Sequence, residues 1–394
     1  MRCKLGAAGW TWLVLFLCLA PSASGQRCSA VLARLFQAPP VERQALVDSL
    51  YAACPAFPVV EQDTVVHFLY RGQARRVAVA GDATGWQPTC LLTRLQGSDL
   101  WHARYVFAAD ARLDYKIVVD DNLWLLDPMN PLTIRGGFGP NSELRMGKYR
   151  PPAELVPQPD LPGGSVRDTV ITSVHLGGRR RISVYIPPGF EGRGMPYPLA
   201  QFHDGHDYLT LGNAATLLDN LIASGKVAPL VAVFLSPEER QREYAGDRKE
   251  AWAAFILFEA LPWVAARYPV STDPRLRATI GASNGGNISL WLGFHHPEQF
   301  GNVGAQSSYV EPALAKAFQE GDKRPLRIYL DVGTYDLPLL IPLVRDLRQI
   351  LDRRGYEVCY REPHEGHSWG NWRAHLDDLL TFLFPGPAVP GPRQ

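Results

Sequence analysis

Short apolar runs bounded by turn residues dominate the chain from Thr64 to Leu144. Val65–Tyr70, Arg76–Ala80, Trp101–Phe107 and Tyr115–Val119 are rich in β-branched and aromatic residues, and clusters such as Gly81-Asp82-Ala83-Thr84-Gly85 separate them, the mark of strands joined by turns. Their spacing predicts a small β-sandwich over residues 61–150. Upstream, residues 26–60 hold two short helical patterns on either side of Pro39-Pro40, read as a helical hairpin. Downstream, the prolines and glycines of residues 151–165 make a linker. From Val166 strands alternate with helices. Ile182–Ile186, Leu199–Phe202, Leu230–Phe234, Ala278–Ile280, Arg327–Leu330 and Glu357–Tyr360 are the expected strands; Ala214–Ile222, Ala251–Arg267, Leu339–Leu351 and His375–Phe384 are the expected helices. That order predicts an α/β domain over residues 166–385, with a mostly parallel, doubly wound sheet. The proline-rich tail, 386–394, is expected to be frayed.

The first 25 residues follow another pattern. Arg2 and Lys4 precede the apolar stretch Trp10–Ala20, and the small residues Ala23-Ser24-Gly25 follow, as in a secretory signal peptide. The stretch is too short for the roughly 20 residues of a spanning helix, so the expectation is export to the periplasm or the exterior, free of the membrane once the leader is removed. With 46% hydrophobic and 20% charged residues, the 394-residue chain has the composition of a globular protein. Its net charge of +1 becomes −1 without Arg2 and Lys4, and no Lys/Arg cluster is interleaved with aromatics, which argues against a nucleic-acid partner. Four of the six cysteines lie beyond the leader: Cys28, Cys54, Cys90 and Cys359. They allow three pairings; Cys28 with Cys54 is the expected one, because these two bracket the helical hairpin. No C-x-x-C or clustered Cys/His spacing points to a metal.

The chemistry concentrates in the α/β region. Gly281-Ala282-Ser283-Asn284-Gly285-Gly286 follows the strand-like Leu276–Ile280 and precedes a helical run, which fits a serine held on a sharp strand-to-helix turn with its hydroxyl in the open. Such a nucleophile needs a base and a carboxylate that orients it, and both follow in order. The loop after Ile328–Leu330 offers Asp331 and Asp336; Asp336, reaching from the loop, is the expected acid and Asp331 the alternative. After Glu357–Tyr360 come His364 and His367, and Gly366 lets the loop fold close to the serine, so His367 is the expected base. The developing oxyanion needs backbone donors: one from Asn284, the other from Asp204 or Gly205 in Phe202-His203-Asp204-Gly205-His206-Asp207-Tyr208. The His and Asp residues of that stretch share no ligand spacing, so a metal reading is disfavoured. Arg242, Glu243 and Tyr244 are candidates for the mouth of the site, as are Trp369 and Trp372 beside the histidine.

Together these motifs resemble the enterochelin esterase and esterase D-like branch of the α/β-hydrolases. The likeness runs from Val166 to Phe384 through Asp204–Tyr208, Leu218–Ile222, Arg242–Tyr244, Leu261–Trp263, Tyr268–Val270, the serine turn and Gly366-His367-Ser368-Trp369. Gly81–Trp86 and Trp124–Pro128 resemble the early-set, carbohydrate-binding-module-48-like domain that precedes many of these esterases. The resemblance implies hydrolysis of carboxylic esters through an acyl-enzyme, without metal or organic cofactor, on a small-molecule ester such as a siderophore trilactone or, alternatively, on feruloyl or acetyl groups of a polysaccharide. Asn284 replaces the apolar residue common after the serine, and Ser368 an aspartate common after the histidine. A reading from another class is a non-catalytic protein whose β-sandwich binds glycan through Trp86, Trp101 and Trp124, although these tryptophans equally suit a core.

Overall fold

The computed structural model describes residues 23–191, 194 and 196–387; most of the expected leader and of the expected frayed tail lie outside the described residues. Helices α1 (Ala23–Gln37) and α2 (Pro40–Ala53) form a hairpin closed by the Cys28–Cys54 disulfide, with Cα atoms 5.7 Å apart. Pro40 opens α2, where its missing N–H would have had no helical partner anyway. Leu32, Leu35, Val47 and Leu50 of the hairpin pack on Val59, Leu69 and Leu100 of the β region.

That region contains β1 (Val59–Glu61), β2 (Val65–Arg71), β3 (Val77–Gly81), β4 (Cys90–Arg94), β5 (Leu100–Val106), β6 (Arg112–Val119), β7 (Leu123–Leu125), β8 (Thr133–Gly136) and β9 (Gly139–Arg145). All its pairs are antiparallel, in the order β1-β2-β5-β4-β3-β6-β9-β8, with β7 also on β6. Strand β4 pairs with β3 through Cys90–Leu92 and with β5 through Thr93 and Arg94, so it passes from one half of the path to the other. Val66, Phe68 and Trp101 from one half share a core with Val79, Tyr115 and Ile117 from the other.

The segment 151–165 is tied to the next unit rather than free of it: Asn220 Nδ2 donates to the carbonyls of Glu154 (2.7 Å) and Val156 (2.9 Å). The second sheet contains β10 (Ser165–Thr172), β11 (Arg179–Ile186), β12 (Leu199–Phe202), β13 (Val231–Leu235), β14 (Arg277–Ala282), β15 (Asn302–Gln306), β16 (Arg327–Asp331) and β17 (Glu357–Arg361). Its order is β10-β11-β13-β12-β14-β15-β16-β17; the pairs from β13 to β17 are parallel, and β10 and β11 are antiparallel additions at one edge.

Among the described residues ten further helices accompany this sheet: α3 (Gly205–Thr210), α4 (Ala214–Ala223), α5 (Arg240–Ala245), α6 (Lys249–Phe255), α7 (Leu261–Ala265), α8 (Asn284–His295), α9 (Pro312–Glu320), α10 (Leu340–Arg353), α11 (Trp369–Ala374) and α12 (Leu376–Leu383). Leu217 and Leu221 of α4 and Leu379 and Leu383 of α12 cover one face. Residues of α6 to α8 cover the other face beside β11 and β13, and residues of α8 to α10 continue it beside β15 and β16. No helix among the described residues is long and apolar enough to cross a membrane.

Two departures from the expected elements have local causes. The helix expected over Ala251–Arg267 is broken by a wider turn at Ile256–Ala260, where the N–H of Leu261 reaches Ile256 O five residues back; Pro262 has no N–H with which to continue the ordinary ladder. Strand β15, absent from the expectation, contains Val303 as its one β-branched residue. It is central and wholly buried, and a Cβ at Gly304 would lie 2.9 Å from Leu379 Cδ1, so close helix packing rather than β propensity sets its composition.

Candidate active site

Ser283 occupies the turn between β14 and α8 with φ 56° and ψ −122°, backbone that an L residue adopts only under constraint. The constraint is visible on both sides. Its N–H donates to Gln306 O (2.8 Å) on β15, and its carbonyl accepts from Gly286 (3.0 Å), Asn287 (3.2 Å) and Tyr309 (3.2 Å). The turn is tight enough that a Cβ at Gly281 would sit 2.3 Å from Gly285 O. The serine side chain is left half-buried at the carboxyl end of the parallel strands, where open α/β sheets place their reacting groups.

His367, in the loop after β17, brings Nε2 to 3.1 Å from Ser283 Oγ and Nδ1 to 2.8 Å from Asp336 Oδ1. Because a carboxylate only accepts, Nδ1 carries the proton, which leaves Nε2 free to accept from the serine hydroxyl. Asp336 is 3% exposed; its Oδ1 also accepts the N–H of Leu337 (2.7 Å), while Oδ2 is buried without a partner. The His367 ring is held edge-on by Trp372 (centroids 5.0 Å apart), Trp372 by Trp369 (5.0 Å), and Trp369 by Tyr208 (5.1 Å). Asp331, the alternative acid, does not reach the histidine. Its carboxylate accepts from Ser307 N–H (2.9 Å) and Gln306 Nε2 (3.3 Å), and burial pushes its pKa up to about 6. His364 lies at the surface, paired with Asp110 (2.7 Å).

Around the expected oxyanion site the geometry separates the candidates. The N–H of Asp204 donates to Tyr244 Oη (2.9 Å), so it is not free for a substrate oxygen, a correction to that assignment. Gly205 opens α3 and Asn284 opens α8, positions whose N–H groups have no partner within their own helices. Gly205 is required there, since a Cβ would lie 2.4 Å from Phe234 C. His203 is fully buried: its Nδ1 accepts from Trp252 Nε1 (3.2 Å), so Nε2 donates to Thr279 Oγ1 (3.1 Å). Burial, then the nearby Arg240 charge, lowers its pKa to about 3. Arg240, which the sequence reading passed over, grips Asp204 with both arms (2.8 and 2.7 Å) and donates to Ala282 O beside the serine (3.1 Å). The only sequence signal was its place two residues before Arg242.

The residues expected at the mouth of the site take other roles. Glu243 and Tyr244 are fully buried, Glu243 against Arg180 (3.0 Å) and Tyr244 under Asp204, so neither faces a substrate. Arg242 points outward to Asp247 (2.7 Å) and Glu239 (2.7 Å). Trp369 is 6% exposed, spent on the aromatic ladder. In the β region Trp101 is core, with Nε1 donating to Gly72 O (3.1 Å), and Trp86 donates to Asp82 (3.2 Å); Trp124 alone of the three is exposed. No group of three or more His, Cys, Asp or Glu among the described residues is arranged to hold a metal.

The comparisons with known proteins agree with a hydrolytic site. The model of the Esterase family matches residues 173–383. An iron(III) enterobactin esterase of Dickeya dadantii is 26% identical over 350 residues, covering 75% of this chain and 79% of its own length. Among solved structures, an enterobactin esterase of Shigella flexneri superposes with a TM-score of 0.71 at 23% identity, covering 85% of this chain and 97% of its own. A ferulic acid esterase of Anaeromyces mucronatus does so at 0.52 and 17% identity, over 59% of this chain and 95% of its own. These matches displace the reading of an inert glycan-binding protein: the chain belongs to the Esterase family and is a carboxylic ester hydrolase.

Proposed function

We propose that the protein is a secreted serine esterase that works through an acyl-enzyme. His367 takes the proton of Ser283 as Oγ attacks the ester carbonyl; Asp336 holds the imidazole in the required tautomer and stabilises it once charged. The oxyanion is met by the N–H groups of Asn284 and Gly205. The protonated histidine then delivers its proton to the departing alcohol, and water activated by the same base releases the acid. The observation that carries this reading is the unbroken relay from Ser283 Oγ through His367 to Asp336, at 3.1 and 2.8 Å.

The favoured substrate is a small-molecule ester of the enterobactin kind, because the likeness to enterobactin esterases spans both the β region and the α/β domain, whereas the ferulic acid esterase covers 59% of this chain. A polysaccharide-linked feruloyl or acetyl ester is the second reading. Residues 61–150 are proposed to be an early-set β-sandwich, with its exposed Trp124 open to a glycan, and residues 1–25 a leader that directs export to the periplasm or the exterior. Parent and Ser283→Ala protein should be compared on nitrophenyl acetate and on enterobactin. Loss of at least about 10⁴ in kcat is expected for the variant; equal rates would remove the mechanism, and hydrolysis of feruloyl-arabinoxylan but not enterobactin would transfer the substrate assignment to the second reading.

A further inference from the structure

The loop carrying His367 is held from two sides: Asn371, Tyr335 and His375 bond it within the α/β region, and the β region supplies a second seat. Arg112, at the start of β6, is wholly buried. Its backbone N–H donates to His364 O (3.1 Å), its Nη1 donates to Ser368 Oγ (3.2 Å) and lies 3.9 Å from Glu365 Oε2. Its guanidinium fills the space beside Gly370, where a Cβ would be 2.0 Å from Cζ. Asp82, directly after β3, completes the seat: its carboxyl presses on Gly366, where a Cβ would be 2.1 Å from Cγ. Residues 365, 366, 368 and 370, on both sides of His367, therefore abut two side chains of the β region, and residue 364 is tied to the Arg112 backbone.

Neither side chain needs the loop for its own satisfaction. The Arg112 charge is compensated within the β region by Asp114 (2.5 Å) and Glu143 (2.7 Å), and Asp82 already accepts from the Asp114 N–H (2.7 Å) and Trp86 Nε1 (3.2 Å). The remaining guanidinium N–H vectors, fixed by the planar fork, are the ones aimed at the loop. Proton transfer to Nε2 demands hydrogen-bond reach to Ser283, and a displacement of about 1 Å at a reacting pair costs on the order of 10²-fold in rate.

We propose that Arg112 and Asp82 are positioning residues for His367, so that the β region completes the hydrolytic site by holding the base loop in register with the serine. The inference rests on the serine-relay reading above. It is tested in the full chain with Arg112→Lys, which keeps the charge and loses the fork, and Ser368→Ala, which removes a single contact. Each is measured for kcat, KM and thermal midpoint on nitrophenyl acetate beside Ser283→Ala. Expected are falls in kcat of about 10–100-fold for Arg112→Lys and about 3–10-fold for Ser368→Ala, with KM within about twofold of the parent. The 1H NMR signal of the His367 Nδ1 proton should broaden or shift in both. If Ser283→Ala is inert while both other variants keep kcat within twofold, the positioning role is overturned and the relay stands; if Ser283→Ala is fully active, the relay itself fails. A loss that comes with a matching rise in KM and an unmoved proton signal also overturns the inference. Should Arg112→Lys not fold, Ser368→Ala decides alone by the same criteria.

Discussion

Ser283 and His367 meet across 3.1 Å, yet the two sides of that contact are built differently. The serine side is six consecutive residues, Gly281 to Gly286, and the space that excludes a side chain at Gly281 is filled by the same turn, at Gly285 O. The histidine side is a loop whose neighbours are remote in sequence: Gly366 against Asp82, Ser368 and Gly370 against Arg112, and Gly333 of the acid loop against Glu365 O. Ser283 is thus held by local backbone strain anchored in one sheet, whereas His367 and Asp336 need support from wherever the chain supplies it. In this molecule part of that support comes from the β region.

The largest expected effect that sharpens the contrast is on the acid loop. Asp336→Asn should lower kcat by about 10³–10⁴-fold with the fold intact, since the amide favours the wrong imidazole tautomer. Asp331→Asn, on a carboxylate bonded to Ser307 and Gln306 rather than to the base, should lower it by less than about tenfold. Comparable losses in the two, read as kcat on a nitrophenyl ester, would mean that Asp336 is not the orienting acid.

Gly281→Ala tests the self-contained side. Its Cβ would lie 2.3 Å from a backbone oxygen that cannot swing away, so a loss of about 2–4 kcal/mol in urea unfolding is expected, with activity falling alongside. Unchanged stability would show that the turn can relax and that the serine is not held by strain.

The third prediction concerns pH. His203 braces the loop before α3 and is buried neutral, its pKa pushed down to about 3. A folded value below the unfolded one near 6.5 means that the unfolded chain binds the extra proton between these limits, so the stability His203 contributes is present above about 6.5 and is lost as pH falls toward about 3. Across that window the parent should lose stability more steeply than His203→Gln, by up to about 1.4 kcal/mol per pH unit; parallel curves would place the imidazole in solvent.

The smallest effect belongs to Arg242→Ala. Its partners Asp247 and Glu239 lie with it at the surface, and kcat/KM should stay within about twofold of the parent. A larger loss would restore Arg242 to the site, whereas Arg240→Met, which frees Asp204 beside the serine turn, should lower kcat by about tenfold.

What was legible in the sequence is what contiguous residues decide. The glycine-flanked serine, the order of Asp336 and His367 after it, six of the eight strands of the α/β region and the bracketing cysteines all depend on local conformation or on spacing along the chain. Tertiary structure decided the rest. Asp336 rather than Asp331 faces His367 because one is at a loop tip and the other is pinned inside the strand ends. Tyr244 takes the Asp204 N–H, and with Glu243 turns inward, because α5 packs against the loop before α3. Arg112 and Asp82 gained their place beside His367 only when a separate sheet folded against the loop 250 or more residues away. Spacing constrains neighbours along the chain, but which buried donor meets which acceptor across two sheets is settled by packing, where a polar group without a partner is costly.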